Sequence, residues 1–267
     1  MSINRENSID HFSKISNKYE KLWMFTKEYE KQMLSNILNR LGFSIDDRFV
    51  DIGGGNGKYT LNVARKAHLR NEPICVEPSN LANIAKENTN LFVYKEDAIS
   101  FAKRDKKYDK VLIKEAIHHI PNRTKFFKEL KKRLSFNGKL LVVTRPQYPP
   151  LPFFKKQKEI FASGQPHYDE IIKELLAAGF KVEVTNDFFT FEMEKERWFN
   201  LQRERFMSDL SKLSDDEIED GIKELSQKFQ NKDKIEITDE IIYILAKPNT
   251  DGEMVQNGMR QIVEMDK

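Results

Sequence analysis

His118 and His119 are the residues whose chemistry is easiest to state. An imidazole titrates at about 6.5, so a neutral histidine near pH 7 can take a proton from an acceptor atom beside it. A second group of residues with chemical potential is Val50-Asp-Ile-Gly-Gly-Gly-Asn-Gly57. Glycines there allow a ligand to approach the backbone closely, because no Cβ intervenes and positive φ is accessible. Asp51 stands at the carboxyl end of a short apolar run, where ligands bind in open α/β sheets. Spacing excludes one ligand class. A dinucleotide fingerprint needs a further glycine three residues after the second, and counting from Gly53 and Gly55 that position is Lys58.

Such groups need a rigid frame. Residues 49–52, 73–77, 91–94, 109–114 and 139–144 read as strands, with Asn137-Gly138 turning into the fifth. Helices are predicted at 58–68, at 80–88 with Ser79 as N-cap, near 98–104 and at 122–134. Upstream, two helices are expected, from about residue 8 through Trp23 and over 27–41, the second stopped by Gly42. After Arg145 the prolines at 146, 149, 150 and 152 make an extended crossing. Helices over 153–162 and 168–178, a sixth strand over 180–189, two charged helices within 192–230 and a last strand over 235–246 complete the chain. Ser214 is the expected N-cap of the second charged helix. Alternating strands and helices predict a Rossmann-like, doubly wound α/β fold with a seven-stranded, mostly parallel sheet and an α-helical cap. The expected organisation is N-terminal cap helices over 1–42, an α/β core over 43–148 and a cap insertion over 149–179. The last strands then span 180–248, carrying the helical insertion, with a flexible tail over 249–267.

Composition narrows the classes. Hydrophobic residues are 39% and charged residues 33%, as in a globule with a polar surface, and the net charge of +3 does not by itself argue for nucleic acid. The lone Cys75 excludes a disulfide framework or a cysteine-rich metal site, and a packed thiol is expected in its apolar strand. No metal is expected. The N-terminus lacks the apolar core of a signal peptide and no apolar run reaches membrane-spanning length, so a cytoplasmic location is expected.

Asp51-x-Gly53-x-Gly55-x-Gly57 resembles motif I of the class I S-adenosylmethionine (SAM)-dependent methyltransferases, a resemblance that extends over roughly residues 45 to 148. It implies SAM as cofactor and S-adenosylhomocysteine as product, with Asp51, Gly53, Gly54, Gly55 and Asn56 meeting the amino-acid part. Glu77, followed by Pro78, matches the acidic residue that accepts both ribose hydroxyls, a task suited to a carboxylate's two oxygens. Asp97-Ala98 looks like the adenine contact, although Asp97 equally suits a helix N-cap. Lys114-Glu115 matches the segment beneath the bound cofactor, and Tyr19 is expected to fold over it.

The same resemblance puts His118 and His119 on the substrate-facing edge. It implies in-line methyl transfer to an oxygen or nitrogen of a small organic molecule, with a histidine orienting or deprotonating the acceptor. Trp23, Arg145, Tyr148, Tyr168 and Trp198 are expected to line the acceptor's cavity, because aromatic walls with a few polar groups suit such a ligand. Arg145 is the candidate partner for a substrate carboxylate. Two other functions stay open. One is methylation of RNA or protein through the basic 103–139 surface, which carries thirteen Lys/Arg against four Asp/Glu. A solvated helix face explains that charge as well, and no nucleic-acid partner is expected. The other is a catalytically inactive SAM-binding subunit.

Overall fold

β1 (Phe49–Ile52) is buried at all four positions, because parallel neighbours flank it and helices cover both of its faces. The computed structural model describes residues 3–16, 21–22, 24–87 and 90–249. The expectations for Tyr19, Trp23 and the tail beyond 249 lie outside those residues. β2 (Ile74–Val76), β3 (Phe92–Tyr94), β4 (Tyr108–Lys114) and β5 (Leu134–Thr144) pair in parallel with β1 or with each other. β7 (Lys234–Pro248) runs antiparallel between β5 and β6 (Phe180–Glu194). The seven-stranded order is β3-β2-β1-β4-β5-β7-β6, which is the expected fold class. Strand order reverses between β1 and β4, so the connections there diverge and leave a crevice at the carboxyl ends.

Helical stripes cover the two faces. In α2 (Lys27–Leu41), Tyr29, Met33, Ile37 and Leu41 recur every fourth residue and are all buried, a core-facing stripe. They pack with Val63 of α3 (Lys58–Lys66) on one face of the sheet. The other face meets α5 (Ala98–Ala102), α6 (Arg123–Arg133) and α8 (Tyr168–Ala177). α4 (Leu81–Lys86) follows β2. A further core joins α7 (Lys155–Gly164), α9 (Lys195–Arg203), α10 (Asp215–Lys228) and the far halves of β6 and β7. Gly42 ends α2 in the left-handed conformation, and Ser214 caps α10 within a capping box, both as expected.

Four local expectations change. α1 covers Ile3–Ile15 and not 8–23, and Ser13 Oγ accepts the Asn80 N–H at 3.1 Å, tying its end to the start of α4. Asn80 is the N-cap of that helix; Ser79 serves one step away, its Oγ accepting the Leu81 N–H. Asn137-Gly138 lies inside β5, where pairing with β4 jumps from Leu134 to Lys139. The last two strands are longer than expected because alternation in β6 changes phase. Phe180, Val182 and Val184 pack toward α6 and α8, whereas Phe189, Phe191 and Met193 face the opposite side, toward α2 and the further core. Pairing nevertheless continues without slip from Phe180↔Pro248 to Glu194↔Lys234. One strand thus serves cores on opposite faces, and a period-2 pattern that breaks midway mimics a strand end.

Candidate functional site

The glycine turn after β1 is built by close approach. Gly53 and Gly55 have φ of 79° and 59°. A Cβ on Gly53 would stand 2.3 Å from the Ala116 Cβ, and one on Gly54 would stand 2.7 Å from Cys75 Sγ. Cys75 is therefore a packed thiol beneath the turn, and burial pushes its pKa up. Asp51 is also buried. Its Oδ2 accepts the Thr60 hydroxyl at 2.8 Å, while Oδ1 has no hydrogen-bond partner. Burial pushes its carboxyl up to about 6, with Thr60 and Lys114 opposing and Glu77 adding.

Glu77 is fixed by two backbone donors, Gly55 N–H at 3.1 Å and Ser79 N–H at 2.9 Å, one to each oxygen. Each oxygen keeps a lone pair for a ligand hydroxyl. Asp97 is both the N-cap of α5, accepting from the Ile99 and Ser100 N–H groups, and a wall residue of the cleft. Lys114 is half-buried, its ammonium 4.4 Å from the Tyr59 ring centre. Burial first, then Arg145, lowers its pKa to about 8. Glu115 has φ of 54°, a left-handed conformation that costs a non-glycine residue about 1 kcal/mol or more. Its N–H donates to Val143 O at 2.8 Å and its Oε2 pairs with Arg145, leaving Oε1 buried and without a partner.

Asp51, Gly53, Gly54, Gly55, Asn56, Glu77, Pro78, Asp97, Ala98, Lys114 and Glu115 all face one cleft, together with Phe12, Tyr59 and His119. An unpartnered buried acceptor at Asp51 and a turn that keeps Cβ atoms out of the cleft fit the ammonium end of an amino acid. The oriented Glu77 fits a vicinal diol. Both belong to SAM.

A second cavity adjoins the first. Phe12, Lys114, Glu115 and His119 line both, and His118 and Arg145 line the second. The histidine rings lie 3.9 Å apart, with His118 Nδ1 and His119 Nε2 buried and unpartnered. Burial, His119, Lys212 and Arg123 hold His118 well below the usual imidazole range; burial, Lys212 and His11 take His119 down to about 4. Both are neutral at pH 7. Arg145 is wholly engaged on its inner side. Its Nε and Nη2 donate to the two oxygens of Asp239 at 2.7 and 2.8 Å, and Nη1 donates to Glu115. Tyr29 adds its hydroxyl to Asp239 at 2.8 Å.

Three aromatic expectations need correction. Tyr148 is 73% exposed on the proline-rich crossing. Tyr168 stacks on His167 at 4.7 Å and packs against the sheet core. Trp198 is fully buried in the accessory core, donating its indole N–H to Pro152 O at 3.0 Å. None of the three lines either cavity. The second cavity is instead walled by Phe25, Phe161, Phe206, Met207 and Asp209, with Lys212 at its rim. Nothing in the sequence singled out Asp239, which shares its strand with Glu236 and Glu240. Nor did anything mark 206–212, since no periodicity runs through that segment. Of the basic face expected on α6 at Lys128, Lys131, Lys132 and Arg133, Lys128 and Lys132 are exposed while Lys131 and Arg133 are half-buried, Arg133 pairing with Asp105; Phe126, Phe127 and Leu130 are buried.

A family profile described as a methyltransferase domain matches residues 50–142. No curated protein sequence matches the chain. Among solved structures, similarity extends to a protein of Anabaena variabilis described as a candidate methyltransferase from an antibiotic biosynthesis pathway. It has a TM-score of 0.62 and 20% identity, over 79% of this chain and 96% of that one. The YcgJ protein of Bacillus subtilis gives 0.59 and 18%, over 83% and 100%. A Haemonchus contortus phosphoethanolamine N-methyltransferase, in complex with phosphomonomethylethanolamine and S-adenosylhomocysteine, gives 0.54 and 21%, over 81% and 52%. At these identities the likeness is one of fold.

Proposed function

From a chain whose residues 50–142 match a methyltransferase-domain profile, we propose that the protein uses SAM to methylate an oxygen or nitrogen of a small organic molecule held in the second cavity. The supporting observation is the shared wall. Phe12, Lys114, Glu115 and His119 border both spaces, so an acceptor in one adjoins a donor in the other. SAM, when bound, supplies an activated methyl group on a sulfonium. The chain's contribution is to bind, align and manage the acceptor's proton. Asp51 receives the cofactor's ammonium, Lys114 its carboxylate, Glu77 the ribose hydroxyls, and the Asp97-Ala98 wall the adenine.

His119, neutral and on the shared wall, orients an acceptor O–H or N–H and takes its proton as the new bond forms. His118 shapes the deeper wall. Arg145 works through Glu115: clamped by Asp239, it holds that carboxylate at the junction and has no open face for a substrate carboxylate. The small ligand of the Haemonchus structure supports a small acceptor here. Calorimetry with SAM, S-adenosylhomocysteine and NAD, followed by a mass-spectrometric methyl-transfer screen of amines, phenols and carboxylates, tests this function. The first two should bind, NAD should not, and one acceptor class should gain a methyl group. Absence of SAM binding would end the proposal.

A further inference from the structure

The basic surface of residues 103–139 carries charge that the fold leaves unmatched. Its four acids are each held by a cation: Asp105 by Arg133, Asp109 by Arg48, Glu115 by Arg145 and Glu129 by Lys132. Its other arginines are engaged in the same way, Arg104 by Glu96 and Arg123 by Glu174. Among the described residues, no carboxylate stands within ion-pairing distance of Lys103, Lys106, Lys125, Lys128 or Lys131. Lys125, Lys128 and Lys132 recur at i, i+3 and i+7 on the outer face of α6, where like charges repel one another. The helix dipole favours cations in the last turn and opposes one in the first, yet Lys125 stands in that first turn with no acid beside it. A solvated face explains why these lysines are exposed, but the isolated fold gains nothing from crowding them.

Lys107 extends the stripe. Its ammonium donates to Lys132 O at 2.7 Å, tying the 103–107 turn to the end of α6. Two residues beyond Leu134, the C-cap of α6, Phe136 is 79% exposed. At the other end, Ile120 and Pro121 line both the groove beside α6 and the cleft of the glycine turn. Three anionic partners compete for such a surface. A protein would need an apolar patch poor in lysine, and the outer face of α6 has none. A membrane would need an apolar face to insert, and one ring is little to insert. A nucleic-acid strand fits, because lysines neutralise phosphates as point charges and an exposed ring stacks an unpaired base.

We propose that α6 and the 103–107 turn bind the phosphate backbone of a single-stranded nucleic acid, with a base stacked on Phe136. The site is separate from the second cavity and does not rest on the methyltransferase reading. It departs from the expectation of no nucleic-acid partner, because a net charge of +3 hides the pairing that isolates these lysines.

The eleven residues of α6 span about 16 Å, so an end-labelled oligothymidylate of about ten nucleotides covers the stripe. Fluorescence anisotropy with this probe on the full chain tests the site. Log affinity should fall against log salt with a slope of about −3, as for about four or five neutralised phosphates. Lys125→Glu, Lys128→Glu and Lys132→Glu together should weaken binding at least about tenfold with circular dichroism unchanged. The corresponding Gln variant carries the test if the Glu variant does not fold. Reversing three exposed lysines elsewhere, Lys155, Lys158 and Lys228, alters net charge equally and should cost less than about twofold. Phe136→Ala should weaken binding about fivefold or more while keeping the salt slope. No binding, equal losses in the two triple variants, or full affinity in Phe136→Ala overturns the proposal. Binding as tight to polyglutamate or to phosphatidylserine vesicles overturns it as well.

Discussion

The cleft proposed for the cofactor and the cavity proposed for the acceptor share a wall but are made in different ways. The cleft comes from short turns at successive strand ends, around 51–59, 77–79, 97–99 and 114–116. Each turn is fixed by local backbone chemistry: positive φ at Gly53 and Gly55, two N–H groups on Glu77, a cap at Asp97. The cavity draws on 12, 22, 24–25, 114–115, 118–119, 145, 160–161, 164–165, 206–209 and 211–212, so the accessory core brings distant segments against the ends of β4 and β5. On the proposed function, the cofactor's contacts are local to these turns, whereas the acceptor's would come from segments distant in the chain.

Variants can break that contrast. The largest effect is expected at the junction. Asp239→Ala leaves the buried Arg145 without its bidentate partner, and should cost about 3–5 kcal/mol in denaturant unfolding. A loss below 1 kcal/mol would show that the pair is not needed to hold the shared wall. Next is Gly53→Ala, which forces a Cβ against Ala116 at positive φ. SAM affinity should fall about a hundredfold or more, since turn geometry and Ala116 must both shift. Unaltered affinity by calorimetry would mean the turn tolerates a side chain and is not the rigid part.

Smaller still is the pH effect on S-adenosylhomocysteine binding. Asp51, raised to about 6, loses its charge, and so its attraction for the ligand ammonium, as pH falls through that value. Lys114, lowered to about 8, loses its charge for the ligand carboxylate as pH rises through that value. Affinity should therefore be greatest between these values and decline on both sides. A flat profile from pH 5 to 9 would remove one or both residues from the cofactor's zwitterionic end. Least is Tyr148→Ala, expected to stay within about 0.5 kcal/mol in stability and to leave turnover unchanged. A large loss of turnover would mean that this exposed ring closes over the acceptor.

The same contrast explains what the sequence made legible. Asp51, the glycines, Glu77 and Asp97 could be located because turn chemistry and strand ends are short-range, and the structure brings them to one cleft. The second half of β6 was hidden by its phase change, since each half buries a different face. Tyr148 and Trp198 were misplaced for a related reason. Aromatic content reveals neither direction nor depth, and the first points to solvent while the second anchors the accessory core. Arg145 showed a charge at the end of β5, but its partner Asp239 comes from β7, 94 residues away in the chain. Asp209 gave no signal because its burial depends on α7 and the 3-10 helix meeting.

The central claim is that the two cavities meet at a proton-handling wall. It is tested most directly by turnover and S-adenosylhomocysteine affinity measured side by side in His119→Ala, using an acceptor found in the screen. The account predicts that kcat falls about a hundredfold or more, while S-adenosylhomocysteine affinity stays within about twofold, a difference below 0.5 kcal/mol. Undiminished turnover, or a parallel loss of cofactor affinity, would contradict it.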